Sequence, residues 1–210
     1  MKDNNLSYVI LVLVGLLLGF GVFIFLNEPE TYVENNYVYS NGQELFNVTV
    51  VSANESYVQL YVGDDETPYL IALRNDPASL EDIVVEGVLN TRIFNDEQIW
   101  LTINPNANLT GKTTVAVLEV DKIIDNENLY GIPANAAMTM ENEFNYPVKS
   151  CYDGTDKSTV IFFTLGSETK VYTDEYCIII VGTTENEIIR AADRFVLTLL
   201  GEMQNYQSCR

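Results

Sequence analysis

Apolar and polar positions change rhythm along this chain, and each rhythm predicts a different element. Residues 8–26, YVILVLVGLLLGFGVFIFL, are one apolar run without charge or proline. At ~1.5 Å per residue such a helix is roughly 28 Å long, about one hydrocarbon core. Alternation takes over in LFNVTVVS (45–52) and YVQLYVG (57–63), which read as a hairpin turning at Asn54-Glu55-Ser56. PYLIALRNDP (68–77) is a further strand ending in a turn, and PASLEDI (77–83) predicts one helical turn. A period near 3.6 marks VAVLEVDKII (115–124) and, most clearly, EIIRAADRFVLTLL (187–200). In the second helix Ile188, Ala191, Ala192, Phe195 and Leu199 form an apolar stripe that would cover a sheet face. Thr183 or Thr184 is its expected cap, Glu185 and Glu187 suit its first turn, and Gly201 is its expected stop.

Two stretches resemble each other at an offset of 78 residues. Thr91-Arg92-Ile93-Phe94-Asn95-Asp96-Glu97-Gln98 precedes IWLTIN, and Thr169-Lys170-Val171-Tyr172-Thr173-Asp174-Glu175-Tyr176 precedes CIIIVG. Both read as hairpins turning at Asn95-Asp96 and Thr173-Asp174, and each is followed by a helix pattern. Upstream, Tyr69 and Asp76 match Tyr146 and Asp153. The expected unit has strands at 68–74, 84–94 and 98–103 and a helix at 112–126. Its second copy has strands at 146–151, 159–173 (broken at Gly166) and 176–181 and a helix at 184–200.

The expected fold class is α+β: an N-terminal transmembrane helix, then a mainly antiparallel sheet with two helices, built from a duplicated strand-hairpin-strand-helix unit. The segments are a cytoplasmic tail (1–7), a transmembrane signal anchor (8–26) and a juxtamembrane linker (27–43) whose Tyr32, Tyr37 and Tyr39 would lie near the headgroups. A β-hairpin (44–66), repeat unit one (67–126), a connector (127–145), repeat unit two (146–201) and a C-terminal tail (202–210) follow. LTGKTTVAVLEVDKII, and the run from Cys151 through CIIIVGTTENEIIRAADRFVLTLLG, resemble segments of uncharacterised, membrane-anchored archaeal ectodomains, many from small symbiotic lineages. The resemblance covers residues 67–201 and lies in texture and order of elements. It implies an archaeal surface setting and carries no activity and no site.

The flanks orient the span. Lys2 precedes it, whereas Glu28, Glu30 and Glu34 follow with no base among them, so the positive-inside rule places residues 28–210 outside the cell. The run exceeds a cleavable signal core of about 7–15 residues, and FIFLNEPE lacks a small-residue cleavage site. Gly15 and Gly19 give the span a small-xxx-small spacing suited to helix packing. Glycosylation sequons begin at Asn47, Asn54 and Asn108.

Charge and composition then remove whole function classes. The chain carries 30 acidic and 11 basic side chains, a formal charge of −19, which repels nucleic acid. With no histidine, Ser-His-Asp and Cys-His nucleophile systems and histidine metal sites are excluded within the chain. Cys151 and Cys177 fall in the second unit and suit a disulfide in an oxidising compartment, which leaves Cys209 over. Asn106 to Thr113 imitates a phosphate loop, but asparagine stands where that loop needs glycine, so the segment reads as a helix entry capped by Thr110 or Thr113. Asp64-Asp65-Glu66 and the pairs Asp96-Glu97 and Asp174-Glu175 lack calcium-loop spacing and read as solvated turns. No catalytic residue, metal or cofactor is expected. The expected function is a non-enzymatic, membrane-anchored surface protein whose ectodomain binds another envelope component or itself. A carboxylate-dependent extracellular glycan hydrolase, and a subunit of a surface filament or secretion apparatus, are the alternatives.

Overall fold

Period-two alternation produces the first sheet. The computed structural model describes residues 35–42, 44–62, 67–87 and 93–208. Strands β1 (Asn35–Ser40), β2 (Leu45–Ser52), β3 (Glu55–Leu60) and β4 (Tyr69–Leu73) form an antiparallel sheet in the order β1-β2-β3-β4. Val48 opposes Val58, and Val58 opposes Ile71, so one face is apolar. Phe46, Val50, Leu60 and Leu73 complete that buried face. The other face is mixed: Thr49 Oγ1 donates to Asn36 Oδ1 at 2.6 Å, and Val38, Leu45 and Leu70 stand exposed beside them.

β1 corrects the expected linker. Residues 35–40 are an edge strand, and their tyrosines pack and bond within the sheet. Tyr39 is buried and its hydroxyl accepts from Arg194 Nη1 at 3.0 Å. The Tyr37 hydroxyl donates to Asp76 and accepts from the Ala78 amide.

The second sheet is mixed, in the order β5-β9-β10-β8-β6-β7. Its strands are β5 (Val84–Glu86), β6 (Gln98–Ile103), β7 (Ala134–Met138), β8 (Ser158–Leu165), β9 (Lys170–Asp174) and β10 (Cys177–Gly182). β7, β6, β8 and β10 run parallel, while β9 pairs antiparallel with β10 and parallel with β5. β10, CIIIVG, is buried along its whole length, the pattern of a central parallel strand covered on both faces. Among the described residues the fold is therefore α+β with two helices, one antiparallel sheet and one mixed sheet, and the second sheet departs from the antiparallel expectation.

The duplicated hairpin is found once. Thr169 to Tyr176 does turn back, β9 onto β10. Its counterpart does not. Both neighbours of β6 are parallel strands, which leaves no side for an antiparallel arm. Ile93 and Phe94 instead turn into the core, where Phe94 stacks on Tyr130 at 5.9 Å. Asp96 then accepts the Thr159 amide of β8 at 3.1 Å. What the two halves share is a parallel strand leading into a helix: β6 into α1 (Gly111–Ile124) and β10 into α2 (Glu185–Ser208). Two more expectations change. The connector contains β7, and residues 146–151 form only the bridge at Val148 and the start of a 3₁₀ turn, Cys151–Asp153.

α2 is capped by Thr184, whose hydroxyl accepts the Glu187 amide at 3.3 Å. Gly182 lets β10 meet that first turn; a Cβ there would lie 2.2 Å from the Ile188 nitrogen. The helix runs past Gly201 because Glu202 and Met203 are themselves buried. It packs on α1 and β10. It also bonds to the first sheet, through Arg194 to Tyr39 and through Asn41 Nδ2 to the Leu197 carbonyl at 3.1 Å. The main core joins the inner faces of both sheets to the two helices.

A smaller cluster lies on the far face of the mixed sheet, where Val160, Cys177, Ile179 and Val181 pack with Trp100, Phe162 and Tyr172. The Cys151–Cys177 disulfide, with Cα atoms 5.1 Å apart, ties the 3₁₀ turn across this face. The membrane span 8–26 with Gly15 and Gly19 lies outside the described residues, as do Tyr32, Asp64, Asp65, Glu66, Thr91 and Cys209. Among the described residues, no helix is long and apolar enough to cross a membrane.

Candidate functional site

β4 ends at a sharp turn. Asp76 caps the following 3₁₀ helix, Pro77–Leu80, by accepting the Ala78 amide at 3.2 Å. The turn releases Arg74 and Asn75 from the strand ladder and sets them beside α2. There they meet a buried carboxylate. Asp193 Oδ2 accepts the Arg74 amide at 3.0 Å and Asn75 Nδ2 at 2.8 Å. The Asn75 carbonyl accepts the buried Ser56 hydroxyl at 2.8 Å, which fixes the turn from the β3 side. Burial pushes the Asp193 carboxyl up to about 7; the neighbouring Glu119 adds to the rise, and Asn75 and Lys122 oppose it.

Arg74 is held from behind. Its Nε donates to Glu119 Oε1 at 2.9 Å, and Lys122 takes the other Glu119 oxygen. Glu119 is only 4% exposed, so two cations share one buried acid. Lys122 also donates to the Ala72 carbonyl at the edge of β4. The Arg74 side chain remains 59% exposed, and its terminal Nη1 and Nη2 have no partner among the described residues.

These residues border a solvent-open cleft of about 440 Å³. Asn54 closes it from the β2–β3 turn, and Val115 from α1. Asn186, Glu187, Ile189 and Arg190 contribute from the first turns of α2. Arg190 is a strut: Nη1 binds both Glu187 oxygens at 3.1 and 3.0 Å, while Nη2 reaches the Ser79 carbonyl at 2.6 Å and Asp82 at 2.8 Å. Asn54 and Asn186 keep their side-chain amides unbonded among the described residues. The cleft thus offers free donors and acceptors on a framework fixed by ion pairs.

None of these cleft residues is a predicted site apart from Asn54. The available signals were slight: an arginine among only 11 bases at the end of an apolar strand, and charges interrupting the apolar helix α2. The predicted residues lie elsewhere. Asn47 is exposed on β2, near Gln59. Asn54 is exposed at the cleft rim, and Asn108 is exposed ahead of α1 with φ 51°. Asp96 and Asp174 sit in different settings, and among the described residues no group of three His, Cys, Asp or Glu side chains is placed to hold a metal.

The phosphate-loop imitation has a structural explanation. Thr110 caps α1, accepting the Lys112 amide at 3.3 Å, and Glu185 Oε2 fills the same helix end. That oxygen accepts from the Thr110 amide at 2.8 Å, the Thr113 amide at 3.2 Å and the Thr113 hydroxyl at 2.7 Å. Burial raises the Glu185 carboxyl, but these hydrogen bonds outweigh it and hold it below its ordinary value. Its stabilising effect is therefore present above the unfolded pKa and is lost as pH falls through the lower folded value. Glu185→Gln is expected to cost about 1 kcal/mol at pH 7, discounted for solvent screening, and nothing once Glu185 is protonated. Urea titrations of both proteins from pH 7 downward measure this; a loss that does not shrink as Glu185 becomes protonated would show that the charge is unimportant.

No family model matches this chain, and no curated protein or solved structure does either.

Proposed function

We propose that the chain is a membrane-anchored surface protein without catalytic activity, in which residues 8–26 span the bilayer and the outer domain binds another component of the cell envelope through the Arg74 cleft. The observation that supports binding most directly is the cleft itself: unpartnered Arg74, Asn54 and Asn186 groups stand open to solvent on a braced frame. The acids around it favour binding over hydrolysis, because Glu119 is tied to Arg74 and Lys122, and Glu187 to Arg190. Asp193 lies behind Arg74 and Asn75, fully buried, and positions them. The 19-residue apolar run and the acidic flank that follows it support anchoring and outward display.

The test uses the full-length chain in lipid nanodiscs, mixed with envelope preparations. Val115→Trp would fill the cleft from α1 while leaving Arg74, Glu119 and Lys122 themselves unsubstituted. Retention of the native protein is expected to fall at least tenfold in this variant. Equal retention would exclude the cleft, and retention only at high protein concentration, with dimers in solution, would favour self-association. Protease added to intact cells should remove the outer domain; full protection would overturn the orientation.

A further inference from the structure

We propose that the cleft binds a neutral, hydroxyl-rich ligand, a saccharide of the cell envelope. The assignment rests on the cleft being the recognition site and names the chemistry that this site selects.

The argument begins with the shape of the polar groups. The free edge of Arg74 and the amides of Asn54 and Asn186 are planar forks, each able to make two hydrogen bonds side by side. Vicinal hydroxyls of a sugar ring present pairs of oxygens at that spacing, and each hydroxyl both donates and accepts. The arginine fork only donates, whereas each amide does both. A mixed set of this kind suits hydroxyls better than it suits an anion, which only accepts.

Charge points the same way. Arg74, Lys122 and Arg190 are the cations of this region, and Glu55, Glu119, Glu187, Asp82 and Asp193 surround them. Acids outnumber bases locally, as they do over the whole chain. Beyond about 8 Å the remaining surface is screened by salt, so this local set decides. A phosphate or polyanion meets a net negative surround, and a neutral polyol does not. An organic cation would need an acid free to pair with it, but Glu119, Glu187 and Asp82 are already committed to cations, and Glu55 accepts the Tyr57 hydroxyl.

Size and lining agree. A volume of about 440 Å³ falls within the usual range of ligand sites and has room for roughly two hexose rings. Val115 and Ile189 add apolar surface among the forks, which suits the C–H face of a sugar ring. The hydrogen bonds exchange with water, so the affinity for a disaccharide is expected to be modest, about millimolar.

The experiment is a titration of the full-length chain in nanodiscs with neutral disaccharides, a uronic-acid disaccharide and a sugar phosphate, read by calorimetry. Asn186→Ala removes one fork from an exposed helical position and leaves the Arg74–Glu119–Lys122 frame intact. Neutral disaccharides should bind, and Asn186→Ala should weaken them about tenfold. Stronger binding of the uronic acid or the phosphate would overturn the neutral class. Saccharide binding unchanged by both Asn186→Ala and Val115→Trp would overturn the site. If no saccharide binds but Val115→Trp still releases envelope material, the ligand class fails while the cleft keeps its binding role.

Discussion

Opening the Cys151–Cys177 bond is expected to lower stability by about 3.5 kcal/mol, from the entropy of a loop closed over 26 residues. The Tm shift for a domain of this size is about 7–14 °C. The effect begins in the unfolded chain, where the crosslink removes conformations. It also has a local part. Cys177 opens the central strand β10 and is 1% exposed, while Cys151 and Trp100 both pack against its cluster. Without the bond the segment leading into the 3₁₀ turn is still tied at Lys149, whose carbonyl accepts the Thr102 hydroxyl at 2.8 Å and whose amide donates to the Met138 carbonyl at 2.8 Å. Alanine is the replacement to use at both positions, since serine would bury a hydroxyl at Cys177. Urea denaturation with and without reductant measures the loss, and the fluorescence of Trp100, the chain's single tryptophan, reports the local change. The double alanine variant should ignore reductant. If the native protein ignores it equally under denaturing conditions, where the bond is accessible, the crosslink is absent from the protein.

Elements whose partners are close in sequence were legible. The β2–β3 hairpin announces itself by alternation on both sides of a short turn, and α2 by a long apolar stripe behind a threonine cap. The disulfide could be inferred because both cysteines fall in one stretch of about 26 residues. Parallel pairing was hidden, because β6 meets β8 only across some 60 residues and no local pattern records it. β7 was hidden for a different reason: Ala134-Asn135-Ala136-Ala137-Met138 has poor strand propensity and is held by its neighbour β6. β1 was obscured by polar neighbours, although Tyr37 and Tyr39 already showed the alternation. The two TRIFND-like and TKVYTD-like stretches carry the sharpest lesson. Their local texts agree, yet Asp96 is claimed by Thr159 of another strand, while Asp174 sits in a hairpin. Tertiary partners decided between two structures that local chemistry permits. The cleft was the least legible feature, since Asn54, Arg74, Val115 and Asn186 come from four separate elements.

Asp193→Asn is expected to stabilise the protein above neutrality, by about 2 kcal/mol at pH 8. The native carboxyl has no solvent exposure, and burial pushes it from its ordinary 3.8 up to about 7, with Glu119 of α1 contributing. Between pH 4 and 7 the unfolded chain gives up this proton readily, whereas the folded protein resists. Folding stability from this group is therefore full below about pH 4 and declines as pH rises through the folded value. A gap of about three pKa units corresponds to at most about 4 kcal/mol. Asparagine avoids that cost and can still accept from the Arg74 amide and Asn75 through one oxygen. Its NH₂ group would occupy the place of Oδ1, which has no partner among the described residues, and that mismatch offsets part of the gain. Because the variant also lowers the chain's negative charge by one, Asp156→Asn at an exposed turn serves as the control. Urea titrations at pH 4, 6 and 8 should show an advantage for Asp193→Asn that grows with pH and is absent from the control. A constant difference across that range, or an equal gain in Asp156→Asn, would mean that the buried carboxyl does not set the pH dependence.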